Sequence, residues 1–315
     1  NVYFKIMKKV LMFGGSGMVG RHLIRKLTKN NHLVTVVTRN LHKKGAILKL
    51  GGNPGYVDVI EANVFDEDQL NNLFKDKDIC INLVGILFEN KKNTFKNIHI
   101  NFPTILSKKC YEYKLKQFIH ISALGVEKAL DSKYAMSKLE GEKNVINNFS
   151  KSTILRPSVI FSVDDDFSCM LLNLLSLLPV FPLYYNGKTK FSPIHVSEVC
   201  EIISNVIDKN ICSDIIECVG PEELSFKDII KKLLISIEKK RLLIPIPIQI
   251  AKVIALLFEI FPKPLITRDQ LKILKHDNTL SGEFKSNIDI GFKAKLKFGD
   301  EIFKYSFMWK KGGQY

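Results

Sequence analysis

Three glycines at a spacing of three constrain this chain more than any other feature. They lie in "VLMFGGSGMVGRHLIRKL", Val10 to Leu27, at Gly14, Gly17 and Gly20. An apolar run leads in and an amphipathic run leads out, so the motif sits where a strand turns into a helix. In that context Gly14 allows the tight turn, Gly17 lets backbone approach a pyrophosphate, and Gly20 lets helix pack on sheet. The phosphate then rests on the helix N-terminus, among Ser16, Met18 and Val19. A glycine-rich turn without a ligand is the competing reading.

The rhythm that follows is the one such a loop requires. Strands are predicted at Val10–Phe13, Leu33–Val37, Tyr56–Ile60, Ile79–Leu83 and Phe118–Ile121, with a sixth in "STILRP" closed by Pro157. Helices are predicted at Val19–Thr28, Lys43–Leu50, Glu67–Phe74 and Asn97–Tyr113. Continuous apolar strands imply a sheet covered on both faces. The predicted class is therefore α/β, a doubly wound parallel sheet with helices on both faces. Residues 1–160, completed by parts of 189–220, form its core. Residues 161–315 form a smaller, mostly helical substrate or partner-docking region. There "CMLLNLLSLLPVFPLYY" reads as a helix broken by Pro179 and Pro182, and Ser197 and Ser225 read as helix caps.

The second strand ends in "VTVVTRNLHKK". An NAD site carries an acid there for the ribose 2′-hydroxyl, and this chain has Arg39 and Lys43. Arg39 can pair with a 2′-phosphate, which favours NADP(H) over NAD(H). The competing reading is a solvated helix start.

Beyond the fifth strand, "HISALGVEKALDSKYAMSKLEGEK" supplies Ser122, Tyr134 and Lys138. Tyr134 and Lys138 are four apart and share a helix face. A lysine beside a phenol lowers its pKa and prepares it for acid–base work. Ser122 ends a strand, where its hydroxyl can orient a carbonyl.

Other features bound the reading. The net charge is +15, yet only six of 47 cations are Arg and no basic stripe alternates with aromatics. A nucleic-acid partner is not indicated, and attraction to an acidic partner or anionic membrane surface fits better. Six cysteines at irregular spacing give no disulfide framework or zinc site, and no metal is expected. No signal peptide is read ahead of Val10. His120 and His195 read as packed structural residues, and Asp164–Asp166 as solvated acids.

With these residues the chain resembles the extended or atypical short-chain dehydrogenase/reductases, which are Rossmann-type. The match lies in GGSGMVG, Asn63, "NLVG" at Asn82–Gly85, Asn101, Ser122, Tyr134-x-x-x-Lys138 and "LRPSVIF" at Leu155–Phe161. The resemblance implies a cofactor lined by Asn63, Val64, Leu83, Val84, Gly85, Tyr134, Lys138, Pro157 and Val159. "INLVGILFE", "FIHISALGV", "FSPIHVSEV" and "PLITRDQLKILKHDN" are similar to one subgroup, the nucleotide-binding accessory subunit of respiratory complex I and its bacterial relatives. That similarity implies a tightly held NADPH, complex I subunits as partners, and a place at the matrix side of the mitochondrial inner membrane or the cytoplasmic face of a bacterial one. The intact Ser122/Tyr134/Lys138 set keeps open an active NADP-dependent reductase or a nucleotide-sugar epimerase or dehydratase.

One further run stands apart. "IQIAKVIALLFEIF", Ile248–Phe261, places Gln249, Lys252 and Glu259 on a narrow helical stripe with nearly all else apolar. It is too short to span a bilayer. It is read either as buried against the sheet or as a docking helix for a partner or membrane interface.

Overall fold

A computed structural model describes residues 7–64 and 66–310. The segment ahead of the first strand, read above as lacking a signal peptide, begins outside them. The chain forms two compact units.

The first unit takes residues up to 122, 137–156 and 196–216. In chain order its elements are β1 (Lys9–Phe13), α1 (Met18–Lys29), β2 (Leu33–Thr38), α2 (Leu41–Leu50), β3 (Val57–Glu61), α3 (Glu67–Phe74), β4 (Ile79–Asn82), α4 (Phe102–Glu112), β5 (Gln117–Ile121), α5 (Lys133–Asn148) and β6 (Ser152–Pro157). The helix Val196–Asp208 and the strand Asp214–Cys218 follow. The strands lie in the order Asp214–Cys218, β6, β5, β4, β1, β2, β3, and β1 to β6 pair in parallel. The chain order reverses beside β1, and the α/β reading of the sequence holds. Side chains from both sheet faces are buried, as parallel strands under crossover helices require. Phe13 anchors one layer, edge-on to Phe102 at 5.4 Å and stacked on Phe74 at 6.3 Å.

The fourth helix differs from its prediction. Lys96–Asn101 is a π-helix that continues into α4 at Phe102, with Pro103 in the first α-turn. Such bulges cluster at functional positions. Gly141 of α5 packs against this turn so closely that a Cβ there would lie 1.9 Å from the His99 carbonyl oxygen. The buried Arg156 of β6 donates to both carboxylate oxygens of Glu142, at 3.0 and 2.6 Å, a fork that fixes α5 on the sheet.

The second unit, residues 123–136, 157–195 and 217–315, has its own core. Phe161, Leu172, Phe181, Phe191, Ile230 and Phe298 are buried together. The helix Asp166–Leu177 stops just before Pro179, and Val180–Leu183 pairs in parallel with Leu242–Pro245. The helix Phe226–Ser236 starts at Ser225 as predicted, with a capping box completed by Asp228. Ser197 is not a cap, because its helix already begins at Val196. Asp165 is not solvated. It is buried, accepts from the Ser168 amide and hydroxyl, and caps Asp166–Leu177. Burial pushes its carboxyl above the usual range, against those hydrogen bonds.

Candidate functional site

The glycine loop joins β1 to α1, and each glycine answers to a different neighbour. Gly14 has φ +82°, and a Cβ on it would lie 2.9 Å from the Leu83 carbonyl carbon. At Gly20 a Cβ would lie 2.4 to 2.6 Å from backbone atoms of Gly15 and Gly14. Gly20 therefore packs on the loop itself rather than on the sheet, a correction to the role read from spacing. Gly15, which the motif reading passed over, is held by Val36: a Cβ would meet Val36 Cγ1 at 2.5 Å. Gly17 is exposed and less constrained, its amide donating to Gly14 O at 3.0 Å. It stands at the α1 N-cap with no side-chain capping bond. The helix thus presents its positive end to an open loop, the cradle a phosphate requires.

Around the loop lies a cluster of cations. Arg21 donates to Ser16 O at 2.8 Å, and Lys44 Nζ donates to Ser16 Oγ at 3.0 Å. Arg39 is exposed, 3.4 Å from Asn93 Oδ1. Lys43 contributes its backbone amide to the Asn40 cap of α2. Of the two lysines that follow Arg39, Lys43 and Lys44, it is Lys44 whose ammonium reaches the loop. Its neighbour in sequence gave no means of choosing between them, since the winding of α2 decides which one faces Ser16.

The ends of β4 and β5 form the floor. Asn82 and His120 are register partners, and Asn82 Nδ2 donates to His120 Nδ1 at 3.1 Å. His120 Nε2 then carries the proton, buried without an acceptor. Burial holds His120 down at about 3, so it stays neutral. Asn82 Oδ1 accepts from the Val84 amide at 3.1 Å, which fixes Leu83 and Val84. Ser122, 5% exposed, donates its amide to Leu155 O at 2.7 Å, while its hydroxyl finds no partner among the described residues. Buried unpaired polar atoms are costly in an empty protein and useful beneath a polar ligand.

Lys138 lies under the Leu83–Gly85 segment. Its Nζ donates to Ile121 O at 3.2 Å, and a Cβ on Gly85 would come within 3.1 Å of it. Burial lowers this lysine to about 8, opposed by Glu142 one turn along α5. His99, in the π-turn, bridges the same segment to α5. Its Nε2 accepts from the Ile86 amide at 3.1 Å, so its Nδ1 donates to Ser137 Oγ at 2.9 Å. Burial, then the Lys138 charge, depresses His99 to about 2. Nothing in the sequence reading singled out His99 or Gly141.

Asn63 is exposed beside the half-buried Val64, its amide held by Gln69 Oε1 at 2.9 Å. Asn101 pairs its amide with Asn97 Oδ1 at 3.2 Å. Pro157 and Val159 fall in the second unit, as does Tyr134. Tyr134 shares α5 and its i, i+4 face with Lys138, and burial pushes its phenol up to about 12, opposite to the direction expected from a neighbouring lysine. Desolvation disfavours the phenolate.

Within the second unit the start of α5 is held by an acid that sequence reasoning missed. Asp269 accepts from Ser132 Oγ and the amides of Lys133 and Tyr134, at 2.8, 2.8 and 2.9 Å. Its own helix, Arg268–Ile273, has a capping box from Thr267 and Gln270. Asn278 Nδ2 adds a bond to Leu124 O at 2.7 Å. "TRDQLKILKHDN" thus braces the segment that carries Tyr134. Only a contact across 135 residues shows it.

Known proteins place these features. The chain aligns with the 40 kDa subunit of mitochondrial NADH-ubiquinone oxidoreductase from Neurospora crassa, 26% identical over 90% of this chain and 74% of that protein. It aligns with subunit 9 of the NADH dehydrogenase [ubiquinone] 1 alpha subcomplex, mitochondrial, from Mus musculus, 25% identical over 89% of this chain and 75% of that one. Among solved structures, UDP-glucuronic acid 4-epimerase from Bacillus cereus, in complex with UDP-glucuronic acid and NAD, superposes with a TM-score of 0.70. That match is 20% identical and covers 95% of this chain and 98% of the epimerase. Residues 10–215 match the NAD dependent epimerase/dehydratase profile. By that match, and by the loop and sheet that carry it, the chain belongs to the NAD dependent epimerase/dehydratase family.

Proposed function

We propose that this protein is an NADPH-holding structural or assembly subunit of a respiratory NADH:quinone oxidoreductase, at the matrix side of the mitochondrial inner membrane. One observation carries the reading. The oxidoreductase subunits align over about 90% of this chain, well beyond residues 10–215 and into the second unit, which we read as the partner-docking region. The cofactor would rest on Gly14, Ser16, Gly17, Met18, Val19 and Gly20. Asn63, Val64, Leu83, Val84, Gly85 and Lys138 of the first unit would line the rest. The unpaired Ser122 hydroxyl and His120 Nε2 support a polar ligand above them.

The test is to tag the protein in its own host, solubilise the membranes gently and identify what co-purifies. Subunits of the oxidoreductase are expected. Recovery alone from the soluble fraction overturns the reading. For the cofactor, Gly17→Val is expected to leave the melting temperature of the nucleotide-free protein nearly unchanged and to abolish its rise with NADPH. A ligand at a hundred times Kd adds about 2.7 kcal/mol, so a shift of several degrees should vanish.

The preference for NADPH rests on Arg39 at the end of β2 and on Lys44 at Ser16. Arg39→Ser with Lys44→Ser is expected to weaken NADPH tenfold to a hundredfold, at about 1.5–3 kcal/mol for hydrogen bonds to charged groups, and to leave NADH unchanged. Equal losses for both, by titration calorimetry, would remove these residues from 2′-phosphate recognition.

A second reading, an active NADP-dependent reductase or nucleotide-sugar epimerase using Ser122, Tyr134 and Lys138, is favoured by the buried, unpaired Ser122 hydroxyl. Bound NADPH supplies a hydride. Tyr134→Phe separates the two: under the structural reading respiration persists, whereas under the enzymatic one it fails with cofactor still bound.

A further inference from the structure

The helix Ile248–Phe258 is oriented against the usual rule. Its buried side is a narrow seam, Ala251 and Ala255, packed with Ile266 and Leu271. Its opposite side carries Ile250, Val253, Leu256 and Leu257, all exposed, with Val253 at 59% and Leu257 at 57%. Ile260 and Phe261 extend this apolar side past the helix end. The strand just before it, Leu242–Pro245, exposes Leu242 and Ile244, and Val180, the register partner of Leu242, is exposed with them. A soluble surface rarely leaves so many large aliphatic side chains in water. One of the two alternatives read from the sequence, burial of the whole helix, is therefore not what the fold does.

Cations outnumber acids around this segment. Residues 239–268 hold Lys239, Lys240, Arg241, Lys252, Lys263 and Arg268 against a single acid, Glu259. Glu259 is already neutralised by Arg268 at 2.8 Å. Lys240, Lys252 and Lys263 are exposed. The exposed helix face is aliphatic, joined by the aromatic Phe261 past the helix end, and it holds no tyrosine, tryptophan or arginine. Among the described residues no helix is long and apolar enough to cross a membrane. What remains is a short helix with a bare aliphatic face and a cationic border, the chemistry of a segment lying in the headgroup layer.

We propose that Ile248–Phe261, with Leu242 and Ile244, docks this protein on the surface of an anionic phospholipid bilayer, aliphatic side chains among the acyl chains and lysines among the headgroup phosphates. The proposal does not depend on the nucleotide loop.

The test uses the purified full chain and vesicles of phosphatidylcholine, alone or mixed with phosphatidylglycerol, read by co-sedimentation. Binding is expected to the mixed vesicles, to weaken with salt, and to be far lower on phosphatidylcholine alone. Val253→Asp with Leu257→Asp is expected to lower vesicle affinity about a hundredfold. Both side chains are exposed, so the melting temperature should not move. Reversing Lys240, Lys252 and Lys263 to Glu is expected to cost at least about fivefold for each charge. Failure to bind mixed vesicles, equal binding to both vesicle types, or wild-type binding by the double Asp variant would each overturn the proposal. So would a soluble dimer, seen in sedimentation velocity and broken by the same double variant, that ignores vesicles.

Discussion

Gly141→Ala is expected to lower the melting temperature by about 10 °C, a loss of about 3 kcal/mol or more from the first unit. The added methyl would sit 1.9 Å from the His99 carbonyl oxygen, a backbone atom in the π-turn that cannot rotate away. Either α5 moves off the sheet, against the buried Arg156–Glu142 fork, or the π-turn reforms and releases His99 from Ile86 and Ser137. Both routes disturb the Leu83–Ile86 segment, so under the proposed function the stabilisation expected from NADPH should weaken as well. Gly45→Ala is the control. Its Cβ would meet only the flexible end of Leu41, at 2.9 Å, within a helix where alanine is the better former. It is expected to be neutral or to stabilise by up to about 1 kcal/mol. Equal melting temperatures for the two variants would disprove the close packing of α5 on the π-turn.

Lys138→Met is expected to act in the opposite direction on the nucleotide-free protein. Lys138 falls from about 10.5 unfolded to about 8 folded because burial disfavours its charge. Its contribution is therefore most favourable above about pH 10.5 and is lost as pH falls to about 8. Methionine removes that penalty. The variant should be more stable than the wild type at pH 7, by about 3 kcal/mol at most, and the advantage should shrink as pH rises from 8 to 10.5. Under the proposed function the same variant should also lose the stabilisation expected from NADPH, since the amine goes with it. Melting curves across this pH range check both halves. A variant less stable than the wild type at pH 7 would mean that Lys138 is held by its partners more strongly than it is desolvated. A gain without ligand paired with a loss with ligand is the pattern of a side chain kept for binding.

Much of the fold was legible before any contact was known. Strand after strand is apolar, and the turns between them break the pattern, so β1 to β5 lie within a residue or so of their predicted limits. The glycine loop was legible because its spacing and its strand-to-helix context are both local. Asp165 was misread because the sequence shows three acids in a row, while burial of one of them depends on the helix it caps. The direction of the shift at the Tyr134 phenol departs from expectation for a related reason. Spacing places a lysine beside it, but the sign of its shift depends on how much water the fold removes.

The amino-acid order alone determined the class of fold, the glycine loop between β1 and α1, and the residue types at the ends of β4, β5 and α5. These follow from periodicities of two and 3.6 and from backbone freedom at glycine, which act over a few residues. The tertiary structure decided that Lys44 rather than Lys43 reaches Ser16, that His99 ties a loop to α5, and that Asp269 braces the helix of Tyr134. It also decided which side of Ile248–Phe258 meets water. Each of these depends on side chains brought together from distant positions, and on how much solvent their neighbours displace, quantities that no local pattern encodes.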